Sequence, residues 1–289
     1  MKDFTDEWLK GSSSLAPHLM LVGRTGSGKT TAARAVLHRA LHLALYDIVI
    51  LDWDKEYDSL PLEIHTPPFS IAAPLPLVAD ALAEVERAEE GGHMVALHLR
   101  RALAAAPPGR AAERLRTDIS TASYSLRGVL EAAAARLETV SKYVEFGAAT
   151  PAEDNGAHGL RGGVYLLSEI PSIWERAALQ QFLAMFHVLA RTNPTPSILV
   201  IEEGGMGART TFLRHLMAHA RRRGVKVVFI SQSMPPAEVR QSFEVLVFDT
   251  DWELRRALRA PIPDAPLRPG ECWWVRRGGA PKKLRFAPR

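Results

Sequence analysis

The sequence predicts an α/β fold: a mostly parallel central sheet covered by helices, with a helical block inserted into it. Three observations lead there. Short, almost wholly apolar runs recur along the chain, the pattern of strands buried on both faces. Helix-length segments separate them, the alternation that builds a parallel sheet. Residues 78–146 break this rhythm and are rich in Ala, Leu, Arg and Glu.

Taken in order, "HLMLVG" (18–23) reads as a first strand ending in glycine, and "KTTAARAVLHRALHLAL" as a helix. "DIVILD" (47–52) is a second buried strand. Pro61, Pro67, Pro68, Pro74 and Pro76 then mark a loop-rich connection. In the helical block, Leu126, Leu130, Ala133, Leu137, Val140 and Val144 recur at spacings of four and three, one face of a helix. Breaks are expected near Gly91-Gly92 and Pro107-Pro108-Gly109. A polar, glycine-rich loop follows at 150–163. "VYLLSE" (164–169) is a third strand, with a helix after it. "SILVIE" (197–202) is the fourth, followed by a helix over 210–222. "VKVVFIS" (225–231) and "EVLVFDT" (244–250) are the fifth and sixth, and the chain closes in a hairpin around Gly278-Gly279. The domain reading is an extension over 1–16, then one domain over 17–289 with its insertion at about 78–146.

The chain has 289 residues and one cysteine, Cys272, which excludes an intrachain disulfide and a multi-cysteine metal site. No apolar run reaches the roughly 20 residues of a membrane span, and the first ten residues have no signal-peptide core. A soluble cytoplasmic protein, not an integral membrane one, is expected. Net charge is +4, but after Glu271 there is no acid, while Arg276, Arg277, Lys282, Lys283, Arg285 and Arg289 follow. A polyanionic partner fits that distribution. The ten histidines have no evident ligand spacing, so no zinc site is expected.

The first strand runs into Gly23-Arg24-Thr25-Gly26-Ser27-Gly28-Lys29-Thr30, with Thr31 in the helix behind it. This is the P-loop pattern in its strand–loop–helix context. Glycines let the backbone curl around phosphates, and successive N–H groups and a helix N-terminus point at the anion. Lys29 would reach the β and γ phosphates of ATP, and the Thr30 hydroxyl would ligate Mg²⁺. Downstream, Glu202 and Glu203 stand side by side at the end of the fourth strand. Such a pair is costly to bury without a positive partner. Beside a P-loop, Glu202 would hold Mg²⁺ through water and Glu203 would act as catalytic base on the attacking water.

Two further stretches narrow the class. "DWDKEY" (52–57) ends the strand after the P-loop helix, and "RRRGVKVVFISQ" (221–232) leads three arginines into a strand tipped by Gln232. In this order, the motifs resemble those of the FtsK–HerA superfamily of ring-forming pumps, closest to its HerA branch and the type IV secretion ATPases. The resemblance implies a RecA-like P-loop NTPase core over about 17–289. It implies Asp52 and Glu56 near the catalytic centre, Asp52 the stronger candidate, and Gln232 as γ-phosphate sensor. Arg221, with Arg222, would be an arginine finger acting on a neighbour's nucleotide, which implies a homo-oligomer, a hexameric ring. The N-terminal β-barrel usual in HerA proteins has no counterpart in the roughly 16 residues before the first strand.

The function so implied is an ATP-driven pump of double-stranded DNA for transfer, packaging or end processing, with a nuclease, portal or secretion complex as further partner. Arg209, on the glycine-rich loop 204–210, is the candidate for touching DNA in the pore. Arg100, Arg101, Arg110, Arg114 and Arg116 form a second basic cluster that an ordinary solvated helix surface also explains. Trp273-Trp274 reads as hairpin packing rather than base stacking. The alternative is an ATPase energising a secretion or pilus apparatus without gripping DNA; a small-molecule kinase fits the motifs less well.

Overall fold

A strand side chain alternates between the two faces of its sheet, so a strand buried on both faces must be apolar throughout. β1 (His18–Val22) and β7 (Ser197–Glu202) are buried at every position, and β2 (Asp47–Asp52) and β8 (Val225–Ser231) at all but one. The computed structural model describes residues 2–10, 18–88, 92–147, 159–191, 196–202, 210–249, 256, 258, 262–263, 267–268, 270–276 and 279–286.

In chain order the remaining elements are α1 (Lys2–Lys10), α2 (Lys29–Leu43), β3 (Ile64–His65), β4 (Phe69–Ala72), α3 (Leu75–Ala88), α4 (Gly92–Ala105), α5 (Pro108–Thr121), α6 (Tyr124–Tyr143), β5 (Val144–Gly147), β6 (Gly163–Leu166), α7 (Ile173–Ala190), α8 (Thr210–Arg222), α9 (Ala237–Arg240), β9 (Phe243–Val247), β10 (Glu271–Val275) and β11 (Lys282–Arg285). Among the described residues the main sheet has nine strands in the order β11-β10-β9-β1-β8-β7-β2-β6-β3. From β9 to β3 every pairing is parallel; the β10–β11 hairpin joins β9 antiparallel at one edge. The α/β class with a mostly parallel sheet is therefore borne out.

One face carries Met20, Val22, Val49, Leu51, Leu199 and Val227 against α3, α7 and α8. The other carries Leu19, Leu21, Ile48, Ile50, Ile198 and Val200 against α1 and α2. The helical block leaves and rejoins the sheet through β4 and β5, which pair in parallel as a separate small sheet. Its helices share one apolar cluster with the sheet face, with Leu130, Ala133, Leu137 and Val140 of α6 buried. A buried Arg136–Glu86 ion pair ties α6 to α3.

Several features differ from the sequence expectation. The proline-rich connection holds two short strands, β3 and β4. The helical block breaks a third time at Ala122-Ser123, where both residues are extended and neither Gly nor Pro marks the turn. The strand expected over 164–169 stops at Leu166, and Leu167–Glu169 is a 3-10 turn. The strand expected over 244–250 runs from Phe243 to Val247.

The N-terminal segment is not loose. Phe4, Trp8 and Leu9 of α1 are buried. Phe4 meets the ring of Trp274 at 4.7 Å, edge to face. Asp6 accepts both guanidinium hydrogen bonds of Arg39 at 2.6 and 2.8 Å, and Lys226 Nζ donates to Trp8 O at 2.7 Å. Trp274 is thus hairpin packing, as expected. Phe4→Ala should cost about 3 kcal/mol of stability by leaving a cavity between α1 and the hairpin, measured as a lower urea midpoint; Leu45→Ala, at an exposed position, should leave the midpoint unchanged.

Candidate active site

All parallel strands deliver their carboxyl ends to one edge of the sheet, and the predicted site residues within the described parts gather there, Arg221 and Arg222 excepted. β1 ends at Val22, and Gly23–Gly28 curl back before α2 begins at Lys29. Gly26 (φ 77°) and Gly28 (φ 101°) take the left-handed backbone that a side chain would strain. A Cβ on Gly23 would come within 2.9 Å of Ser27 Oγ and 3.0 Å of Phe248 Cβ. Gly28 caps α2 without a side-chain bond, and no acid stands in the helix's first turn. The first N–H groups of α2 are thereby left for an anion.

Lys29 lies along this loop, donating to Gly23 O at 2.7 Å and Arg24 O at 2.8 Å. Ser27 Oγ is enclosed with no hydrogen-bond partner among the described residues. Arg24 is exposed and pairs with Asp249, just past β9, at 2.9 Å; Thr25 is exposed and Thr31 half-buried on α2. The donor set fits a polyphosphate: an uncapped helix start, a buried lysine and loop N–H groups, with no carboxylate within the loop itself.

β2 supplies the first acidic end. Asp52 is fully buried, and its oxygens accept the N–H groups of Asp54 (3.3 Å), Glu56 (3.1 Å) and Tyr57 (3.1 Å). Burial pushes its pKa up against those hydrogen bonds. Asp52 thus shapes a tight loop, and the loop carries Glu56 to the cradle. Glu56 Oε2 accepts the Thr30 hydroxyl, and its main-chain carbonyl accepts from Arg34. Of the two candidate acids in "DWDKEY", Asp52 and Glu56, Glu56 is the one that touches the P-loop helix.

β7 supplies the second. Glu202 is 7 % exposed, and its Oε2 accepts the Trp53 N–H at 3.1 Å. Its pKa is pushed up to about 8, first by burial and then by the charges of Asp52, Glu56 and Asp54. A cation here would hold it ionised. Tyr57 is fully buried, its hydroxyl in no hydrogen-bond geometry among the described residues. Burial, then the charges of Glu202 and Asp52, push its pKa well up. Glu203 and Arg209 lie outside the described residues.

β8 lies between β1 and β7, so its tip enters the same site. Gly23 N donates to Ser231 O at 3.3 Å. Ser231 Oγ donates to Ser233 O (2.6 Å) and accepts the Ser233 N–H (3.0 Å), a turn that leaves Gln232 exposed beside the cradle. Arg221 and Arg222 are elsewhere. They are exposed in the last turn of α8, just before β8 begins, at the opposite end of the sheet. The seven residues of β8 span about 20 Å, beyond the reach of either arginine to its own cradle.

Two contributors carry no sequence signature. Arg176 and Gln180 of α7 hold the loop after β2 and the end of β7 by main-chain carbonyls alone. The second basic cluster is partly neutralised: Arg100 pairs with Asp80 at 2.8 Å and Arg116 with Glu138 at 2.7 Å. Arg101 and Arg114 line an open cavity with His98 and Asp118. At the C-terminus, Arg276 pairs with Glu7 and stacks on Trp274, and Lys283 pairs with Glu271 at 2.8 Å.

Fold and site together define a P-loop ATPase whose acidic strand end is separated from the P-loop strand by one intervening strand. Residues 8–93 match the model of the family described as helicase HerA, central domain. No curated protein matches the sequence. Among solved structures, VirB4 of Thermoanaerobacter pseudethanolicus is 13 % identical, with a TM-score of 0.66 over 97 % of this chain and 91 % of that one. The plasmid coupling protein TrwB in complex with ADP and Mg²⁺ is 15 % identical, with a TM-score of 0.59 over 96 % of this chain and 87 % of that one. TrwB with the non-hydrolysable GTP analogue GDPNP gives the same identity and TM-score over 94 % and 86 %. The resemblance to HerA-type and type IV secretion ATPases is borne out.

The geometry separates the two acids of the loop. Asp52→Ala removes the acceptor of three N–H groups and should cost about 3 kcal/mol, read from urea denaturation. Glu56→Ala should change stability by less than about 1 kcal/mol while raising the Mg²⁺ concentration needed for half-maximal ATP hydrolysis.

Proposed function

We propose that the chain hydrolyses Mg²⁺-ATP as one subunit of a ring and uses the cycle to move double-stranded DNA. The observation that carries the ATPase half is the meeting of Thr30 with Glu56, and of Glu202 with the backbone of the same loop, beside Lys29. TrwB has been solved with ADP and Mg²⁺ and with a non-hydrolysable ATP analogue, which supports the same ligands here. When bound with the nucleotide, Mg²⁺ would neutralise charge on the transferred group. Thr30 and Glu202 would hold it, Glu202 through water. Lys29 and the first N–H groups of α2 would hold the phosphates. Glu203 would take the proton of the attacking water, with Gln232 oriented by the Ser231–Ser233 turn to sense the γ-phosphate.

The ring is supported by the sheet's polarity. Arg221 and Arg222 lie a strand's length from their own cradle, so a role for them in hydrolysis is a role at a neighbour's site. The HerA and coupling-protein likeness supports double-stranded DNA as the cargo. The residues that follow β7 in sequence lead directly from its acidic end to Arg209, which suits Arg209 as a phosphate contact that grips and releases with each cycle.

ATPase activity should rise with double-stranded DNA at low salt and lose that rise steeply as salt increases. No response at any salt would point instead to an ATPase that energises a secretion or pilus apparatus. Lys29→Ala should abolish nucleotide binding, whereas Glu203→Gln should bind ATP and turn it over at least about 100-fold more slowly. Arg221→Ala should be inactive alone and regain turnover when mixed with Glu203→Gln subunits; without rescue, the finger does not act between subunits.

A further inference from the structure

Helix α7 touches none of the groups assigned above to phosphate or metal, yet it holds both acidic strand ends. Arg176 and Gln180 are four residues apart, hence on one face of the helix. Arg176 donates to Ile170 O from Nη2 at 2.8 Å and from Nε at 3.3 Å. It donates also to Ser168 O at 3.3 Å and to Trp53 O at 3.3 Å. Its guanidinium carbon lies 5.0 Å from the centre of the Trp53 ring. One turn on, the buried Gln180 Nε2 donates to Glu202 O at 2.7 Å. Trp53 N–H closes the figure by donating to Glu202 Oε2 at 3.1 Å.

The contacts form a triangle of α7, the loop after β2 and the end of β7. Every acceptor that Arg176 and Gln180 use is a main-chain carbonyl, so the contact fixes where the backbone runs rather than balancing a charge. Three of the carbonyls belong to the loop after β2 and to the 3-10 turn after the adjacent strand β6. A planar guanidinium with five donors can span such a set; an ammonium can satisfy it only in part. Arg176 is half-buried at the sheet's edge, where water could satisfy these carbonyls if the side chain were removed. Its loss would therefore loosen the loop without leaving buried polar groups orphaned.

We propose that Arg176 and Gln180 are positioning residues that hold Glu202 and the Thr30–Glu56 contact in place around the metal site. This rests on the reading of this edge as the Mg²⁺-ATP site. The whole chain carrying Arg176→Lys or Arg176→Met is compared with wild type and with Lys29→Ala. The control is Lys142→Met, which removes surface contacts to Glu175, near the start of the same helix, and to the Tyr143 ring. Four quantities are measured: the affinity for a fluorescent ATP analogue in EDTA, kcat and KM for Mg²⁺-ATP, the Mg²⁺ concentration at half-maximal rate, and amide exchange over residues 53–57.

In both Arg176 variants kcat should fall about 10- to 100-fold, half-saturation by Mg²⁺ should rise, and amide exchange over 53–57 should speed up. KM and metal-free nucleotide affinity should stay within about twofold, because the P-loop is untouched. Lys142→Met should leave all four at wild-type values. Wild-type rates and Mg²⁺ dependence in a folded Arg176 variant would overturn the proposal. So would a loss of metal-free nucleotide affinity that parallels the loss of rate, since that marks general unfolding. If wild type itself shows no hydrolysis that Lys29→Ala removes, the ATPase reading fails instead, and unchanged amide exchange over 53–57 still tests the brace.

Discussion

Three carboxylates at the ends of two neighbouring strands cannot all be ionised away from water unless something positive stands among them. Asp52, Glu56 and Glu202 are in that position, and the protein resolves the conflict differently for each. Asp52 spends both oxygens on backbone N–H groups of its own loop. Glu56 meets a hydroxyl on the P-loop helix. Glu202 has one backbone N–H and the largest remaining deficit, which its raised pKa records. A cation would satisfy that deficit most directly, and in the proposed site Thr30, already against Glu56, would bring one near. The proposed Mg²⁺ would give the Glu202 carboxylate, costly at a buried strand end, its partner.

Distance explains why the loop after β2 must be so tightly made. In the strand order β1-β8-β7-β2, two strands separate the P-loop strand from β2. At about 4.8 Å per strand that is roughly 14 Å, too far for an acid at the end of β2 to reach the cradle by itself. The chain crosses the gap with five residues. Asp52 pins their amides, Lys55 turns in a left-handed conformation, Arg34 reaches up from α2 to the Glu56 carbonyl, and Arg176 holds Trp53 from the other side. A loop with four anchors positions one glutamate. This is the logic of a site whose geometry is set before substrate arrives.

What could be read from the sequence follows from what a sequence encodes. The P-loop was legible because fixed spacing of glycines and lysine is itself the physical requirement. The buried strands were legible because a two-faced sheet demands unbroken apolar runs. Glu56 was harder to rank, since nothing in "DWDKEY" says which acid turns inward to cap and which leans out to the cradle. The role of α1 was missed, although Phe4 and Trp8, one turn apart, form an apolar stripe that could have been noticed. The break at Ala122-Ser123 has no Gly or Pro to announce it. Arg176 and Gln180 were invisible for a deeper reason: their partners are carbonyl oxygens, which every residue possesses, so no pattern of side chains betrays them.

The placement of charge narrows how the proposed motor could touch DNA. The net positive charge suggests a basic surface, yet several of its arginines and lysines are committed internally. Arg100 and Arg116 are paired within the helical block, and Arg276 and Lys283 are tied to Glu7 and Glu271. The helical block and the terminal hairpin therefore present less free charge than their composition implies. A grip that must release at every step cannot in any case be a broad basic face, because each neutralised phosphate adds to the affinity that has to be undone. A few cations beside the nucleotide site meet both demands. In the proposed cycle, the segment leaving the acidic end of β7 is continuous in sequence with the strand that would hold the metal, so a change there would have a short covalent path to a phosphate contact.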